Sequence, residues 1–160
     1  MSEQSLHIRR LTHPSAQELE TLARYDRDIF GDTGLRPYDL GLMTRAGVVL
    51  LAYLGDELVG GCQLMRVADM PEVMWVVGFY IRPEWRSCGL GRQFLTAVVR
   101  WLPSLGVTGL MLTVDSENEA ARALYESFGF SWLEEVPEFY GRGRDRHLMK
   151  LELKSAGSGE

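Results

Sequence analysis

The sequence predicts a single α/β domain in which helices cover a mixed central β-sheet. Three observations carry that prediction. A chain of 160 residues with 46% hydrophobic and 24% charged residues is long enough to bury one substantial core and has the balance of a globular protein. Strand-like apolar runs alternate with segments of helical periodicity. Two of those runs, VMWVVGFYI at 73–81 and VTGLMLTV at 107–114, are apolar at every other position and also in between, the pattern of strands buried on both faces.

The elements follow in order. SLHIRRL at 5–11 makes a first strand. Ser15 and Glu18 have the capping-box spacing, and Leu19, Leu22, Ala23, Ile29 and Phe30 then recur at helical intervals, predicting a helix over 15–30. GDTGLRP breaks it, and PYDLGLMTRA forms a short second helix with Pro37 at its first position. VVLLAYL at 48–54, the turn GDE and LVGGCQLMRV at 58–67 read as a hairpin. ADMPE makes the next turn before VMWVVGFYI, where Gly78 signals a bulge or the close approach of another group. Leu90, Phe94, Leu95, Val98 and Leu102 give an amphipathic third helix ending near Pro103 and Gly106. After VTGLMLTV, Ser116 and Glu119 repeat the capping-box spacing and open a fourth helix with Ala121, Leu124, Tyr125 and Phe128 on one face. FSWLEEV and HLMKLEL supply two last strands around the loop PEFYGRGRDR. The domain is expected to span 1–154, with 155–160 (AGSGE and the serine before it) as a polar, mobile tail.

Composition excludes several classes of function. A net charge of −5 argues against a nucleic-acid partner, because affinity for phosphate backbones comes from concentrated positive charge. No apolar run approaches the roughly 20 residues of a membrane helix, and MSEQSLHIRR lacks the apolar core of a secretory signal. The expectation is a cytoplasmic protein that does not engage a membrane. Cys62 and Cys88 form no CxxC pair and read as free thiols. No metal site is expected, and a homodimer remains open.

RSCGLGR at 86–92 sits where a strand passes into a helix. Glycine tolerates positive φ and lets other atoms approach closely, and the first turn of a helix presents unpaired N–H groups at the positive end of its dipole. Together these make a socket for phosphate. By itself the pattern also fits a tight turn followed by close helix packing.

The wider context is more specific. FYIRPEWRSCGLGRQFL, followed some twenty residues later by LTVDSENEAARALYESFGF, resembles the two central motifs of the GNAT superfamily of acetyl-CoA-dependent N-acyltransferases. Arg86, Gly89 and Gly91 match the Arg/Gln-x-x-Gly-x-Gly/Ala loop; Asn118, Ala121, Tyr125 and Phe128 to Phe130 match the Asn-x-x-Ala-x-x-x-Tyr segment and its Phe-Gly-Phe end. The motif-level match covers about residues 73–130, and the element order of the whole chain agrees with that fold.

The resemblance implies a function. Acetyl-CoA would lie with its pyrophosphate on the backbone of Arg86, Ser87, Cys88, Gly89, Leu90, Gly91 and Arg92, and its pantetheine arm would run beside main-chain groups of Phe79, Tyr80 and Ile81. One of those N–H groups would polarise the thioester carbonyl. Asn118 would contact the cofactor, although its place near a helix start also suits a first-turn polar residue. Tyr125 lies on the apolar stripe of its helix and could be core; the resemblance makes it the general acid that protonates the departing thiolate. The acceptor would be a primary amine, on a protein amino terminus or a small molecule, attacking directly in a ternary complex. The alternative is a non-catalytic acetyl-CoA-binding regulatory protein.

The general base is less legible. Peptide-acetylating relatives often carry a glutamate where this chain has Thr113; Asp115 shares a strand face with Thr113 by the period of two and Glu72 opens the preceding strand, so either could act through water, and each also fits a plain surface residue. Asp28, Asp32 and Asp39 could draw in a cationic amine, and YGRGRDR an acidic group on the acceptor.

Overall fold

The computed structural model describes residues 4–154. Seven strands and four α-helices form an α/β fold with a mixed sheet: β1 (Leu6–Arg10), α1 (Ala16–Phe30), α2 (Pro37–Ala46), β2 (Val48–Leu54), β3 (Glu57–Val67), β4 (Met70–Ile81), α3 (Leu90–Trp101), β5 (Gly109–Val114), α4 (Glu119–Ser127), β6 (Ser131–Val136) and β7 (Arg146–Glu152). The strand order is β1-β2-β3-β4-β5-β7-β6. The β4–β5 pair is parallel, whereas β1–β2, β2–β3, β5–β7 and β6–β7 are antiparallel. No helix among the described residues is long and apolar enough to cross a membrane.

The chain gathers into two compact units. One runs up to Met65 and includes Val77–Arg100; the other is Arg66–Val76 with the chain from Trp101 onward. In the first, α1 starts where expected: Ser15 Oγ accepts the Glu18 N–H at 3.1 Å and Glu18 Oε1 accepts the Ser15 N–H at 3.2 Å, a complete capping box. α2 has Pro37 at its start and Asp39 Oδ2 accepting the Arg36 N–H at 2.9 Å. The two helices bury Leu22, Ala23, Leu40 and Met43 against Val49 and Leu51 of β2. α3 buries Leu90, Phe94, Leu95 and Val98, and Phe94 stacks on Phe79 of β4 at 4.9 Å between ring centroids.

The second unit holds the first part of β4, β5 to β7 and α4. Val73, Met111 and Leu148 form its apolar cluster, with Val67, Met70 and Trp75 packed around them. The β4–β5 register runs over Val73, Met74 and Trp75 against Gly109, Leu110 and Met111.

Two sequence expectations are corrected. The turn expected at ADMPE shrinks to Ala68 and Asp69, because β4 already begins at Met70 and carries Pro71 within it. Ser116 does not cap α4. Asn118 N–H bonds to Asp115 O at 3.0 Å and Glu117 N–H to Asp115 Oδ1 at 3.1 Å, a turn that delays the helix and hands the cap to Asn118. The 155–160 tail lies outside the described residues.

Candidate functional site

β4 ends at Ile81, a single 3-10 turn covers Pro83–Trp85, and α3 opens at Leu90. Between them Ser87 has φ 65° and Gly89 φ 77°. A side chain is rarely tolerated at positive φ, and at Gly89 the backbone conformation alone calls for glycine, since an added Cβ would meet nothing within 4 Å. Ser87, Cys88 and Gly89 are exposed whereas Leu90 is buried. The loop is therefore anchored at its helical end and open along its backbone. Arg86 Nε donates to Ile81 O at 3.2 Å, folding its side chain back on the end of β4. Cys88 is an exposed free thiol, Cys62 a buried one, and burial pushes the Cys62 thiol well above the usual range.

Phe79, Tyr80 and Ile81 precede this loop. Phe79 packs toward α3, as described, while Tyr80 turns to the opposite face and is only 4% exposed. Its ring lies over Gly61, where an added Cβ would come within 2.8 Å of the phenol oxygen. Gly78 allows a close approach of the same kind, as one branch of the sequence reading expected: a Cβ there would collide with Gln63 Oε1. Asp26 of α1 is 2% exposed. Its Oδ1 accepts the Leu35 N–H at 3.2 Å, and burial lifts its carboxyl to a pKa of about 6 against the pull of that hydrogen bond. Burial likewise pushes the Tyr80 phenol well up, helped by Asp26 and Tyr25 and opposed by Arg82.

The second unit contains Asn118 and Tyr125. Asn118 Oδ1 accepts the Ala121 N–H at 3.1 Å, so one side-chain atom is committed to the cap. Tyr125 is half-buried on α4 and meets Phe130 edge to face at 5.4 Å, and its carbonyl accepts the Phe128 and Phe130 N–H groups at 3.1 Å. Thr113 Oγ1 and Tyr140 Oη are in hydrogen-bond contact at 3.0 Å, which ties the β6–β7 loop to β5. Phe139 of that loop stacks on Trp75 at 5.7 Å. Asp115 is exposed, holds the Glu117 N–H and lies 3.7 Å from Arg146; Glu72 is exposed.

Of the acidic residues near the α1–α2 connection, Asp39 is engaged by Arg36 at 3.0 Å and held below the usual carboxylate range by it, and Asp28 and Asp32 are exposed. A cavity of 280 Å³ opens beside α1, walled by Glu18, Tyr25, Tyr53 and Leu58. It shares no residue with the glycine loop, and its Glu18 is already spent on the α1 cap. Asp26 and Gln63 were not among the expected site residues. A signal for Asp26 is present in the sequence: it stands at i+4 from Leu22 and i+3 from Ala23, a carboxylate on the apolar stripe.

The model of the acetyltransferase (GNAT) family matches residues 8–130. The chain belongs to the GNAT acetyltransferase family. Among relatives of this GNAT protein, a mycothiol acetyltransferase of Nocardiopsis dassonvillei is 47% identical over 58 residues, 36% of this chain and 17% of that protein. An aminoglycoside N(6')-acetyltransferase type 1 of Stenotrophomonas maltophilia is 29% identical over 115 residues, 68% of this chain and 75% of that one. The chain spans less than a third of the length of the mycothiol acetyltransferases it matches. Its fold is shared by the ribosomal-protein-S18-alanine N-acetyltransferase of Escherichia coli, with a TM-score of 0.76 at 21% identity over 97% of this chain and 98% of that one.

Proposed function

We propose that this GNAT protein moves the acetyl group of acetyl-CoA to a primary amine by direct attack in a ternary complex. The observation that carries the reading is the loop at 86–92, exposed along Ser87 to Gly89, bent by two positive-φ residues and running into the start of α3. Such a backbone suits a pyrophosphate, because helix-start amides are ready donors and no side chain at Gly89 stands in the way. Arg86, Ser87, Cys88, Gly89, Leu90, Gly91 and Arg92 hold the diphosphate in this reading. Main-chain groups of Phe79, Tyr80 and Ile81 hold the pantetheine arm, and Asn118 adds a cofactor contact beside its role as cap.

When bound, acetyl-CoA supplies an activated thioester. The chain orients it, offers an N–H of the 79–81 stretch to the carbonyl oxygen, and delivers a proton from the Tyr125 hydroxyl to the departing sulfur. The names of the relatives and the structural neighbour, which cover mycothiol, aminoglycosides and an alanine of ribosomal protein S18, support an amine acceptor and leave its size open between a protein amino terminus and a small molecule. Two free thiols, one of them exposed, fit the reducing cytoplasm.

The test is to incubate the protein with acetyl-CoA and a panel of amines (peptides with free amino termini, aminosugars, polyamines) while following thiol release. Release that depends on one class of amine is the expected result. Tight acetyl-CoA binding with no amine-dependent release would replace this reading by that of a non-catalytic binding protein.

A further inference from the structure

We infer that Asp26, Tyr80 and Gln63 form a buried proton relay in which Asp26 takes up the proton that the acceptor amine must lose. The inference rests on the acetyl-transfer reading above and supplies its general base.

Among the described residues, the buried side-chain atoms without a hydrogen-bond partner include Asp26 Oδ2, Gln63 Oε1 and Tyr80 Oη. All three belong to the first compact unit, and they share one face of its strands. Leu51 stands opposite Gly61 and Val49 opposite Gln63, and residues directly opposite point to the same side. Leu51 and Val49 pack under α1 and α2, so Gly61 and Gln63 face those helices too. Tyr80 lies over Gly61 and Gln63 reaches over Gly78; Asp26 is buried on the same face of α1 as Leu22 and Ala23, and Phe30, one turn further along α1, meets the Tyr80 ring edge to face at 6.1 Å.

Each such group is destabilising when buried unpaired, and leucine, methionine and phenylalanine of similar volume would avoid that cost. Three of them on one glycine-floored patch are therefore a polar arrangement with a purpose beyond packing. Their chemistry is complementary: the carboxylate and amide oxygens accept, and the phenol both donates and accepts. Water held among them has several partners and can pass a proton on. Tyr80 belongs to the 79–81 stretch, which links the patch to the reacting thioester.

Protons and electrons balance as follows. The acceptor ammonium gives one proton through the relay to Asp26 Oδ2, and the freed lone pair on nitrogen forms the C–N bond. The C–S bond breaks with its electron pair on sulfur, which takes the Tyr125 hydroxyl proton; the second proton shed by the nitrogen restores that hydroxyl. Asp26 returns its proton to solvent, so turnover releases one proton. A carboxyl of pKa about 6 is ionised at neutral pH yet more basic than an exposed aspartate. Around the Tyr80 phenol the titratable and charged groups are Asp26 and Tyr25 from α1 and Arg82 beyond β4, with the Arg82 guanidinium 4.2 Å from the centre of the Tyr25 ring.

The experiment is the pH profile of kcat/KM for thiol release by wild type, Asp26→Asn, Asp26→Glu and Tyr80→Phe, each checked for melting temperature. The expected result is a wild-type acidic limb near pH 6. Asp26→Asn, which keeps an oxygen for the Leu35 N–H, loses the limb and about 100-fold or more in rate; Asp26→Glu keeps a limb, and Tyr80→Phe is slowed with its limb intact. A limb near pH 6 that persists in a folded Asp26→Asn protein, or a wild-type profile without one, overturns the relay. Wild type that releases no thiol with any amine overturns the acetyl-transfer reading, and the relay with it.

Discussion

Asp26 Oδ1 accepts the Leu35 N–H at 3.2 Å while its other oxygen, Oδ2, is buried without a partner. The same carboxyl thus holds the α1–α2 connection and carries a destabilising charge. Its pKa of about 6 in the folded protein lies above the ordinary 3.8, so the folded state binds the proton more tightly than the unfolded one. The stability linked to that proton is full below about pH 4 and lost as pH rises through 6. Asp26→Asn should therefore be more stable than wild type at pH 8, by up to roughly 3 kcal/mol of unfolding free energy at 1.36 kcal/mol per pKa unit, and melt higher there, with the advantage gone at pH 4. Thermal melts of both proteins between pH 4 and 8 check this; an offset independent of pH would show that the carboxyl is not buried in its charged form.

Gly91 lies in the first turn of α3, within the loop assigned to the pyrophosphate. Gly91→Glu places a bulky anion there and should weaken acetyl-CoA binding tenfold or more, about 1.4 kcal/mol. Titration calorimetry on the folded variant reads this directly. Unchanged affinity would remove the loop from the cofactor site.

Asn118 offers two roles that one substitution separates. Asn118→Ala removes the acceptor for the Ala121 N–H and should cost about 1 kcal/mol of stability. If the side chain also meets the cofactor, acetyl-CoA affinity falls several-fold in addition, measured at a temperature where the variant is fully folded. Loss of stability alone would assign Asn118 to the cap only.

Tyr125→Phe keeps the ring that meets Phe130 edge to face and removes only the hydroxyl. Turnover should fall by about 100-fold or more while acetyl-CoA affinity stays close to wild type, because the proton is needed only as the thiolate departs. Single-turnover thiol release measures the chemical step. Full retention of that rate would leave the proton to water or to the acceptor ammonium.

Local order was legible wherever the signal is short-range. Ser15 with Glu18, and Pro37 at the head of α2, act through neighbours within one helical turn, so their sequence spacing determines the outcome. The glycine loop was legible for the same reason: Gly89 is dictated by its own φ. Where two local signals compete the reading fails. Ser116 and Asn118 could each cap α4, and the turn built on Asp115 decided for Asn118.

What the sequence by itself determined is the alternation of strands and helices, their apolar faces, the loop between β4 and α3, and the resemblance that named the family. What only the tertiary structure decided is which distant polar groups are buried together. Asp26 on a helix, Gln63 on one strand and Tyr80 on the next carry no mutual signal along the chain; each reads as an isolated polar residue in an apolar pattern. They become a group because the β2–β3 register turns Gln63 toward α1, and because the missing side chains of Gly61 and Gly78 leave room for Tyr80 and Gln63. Burial, which raises the carboxyl and the phenol alike, is a property of that packing and of no single stretch of sequence.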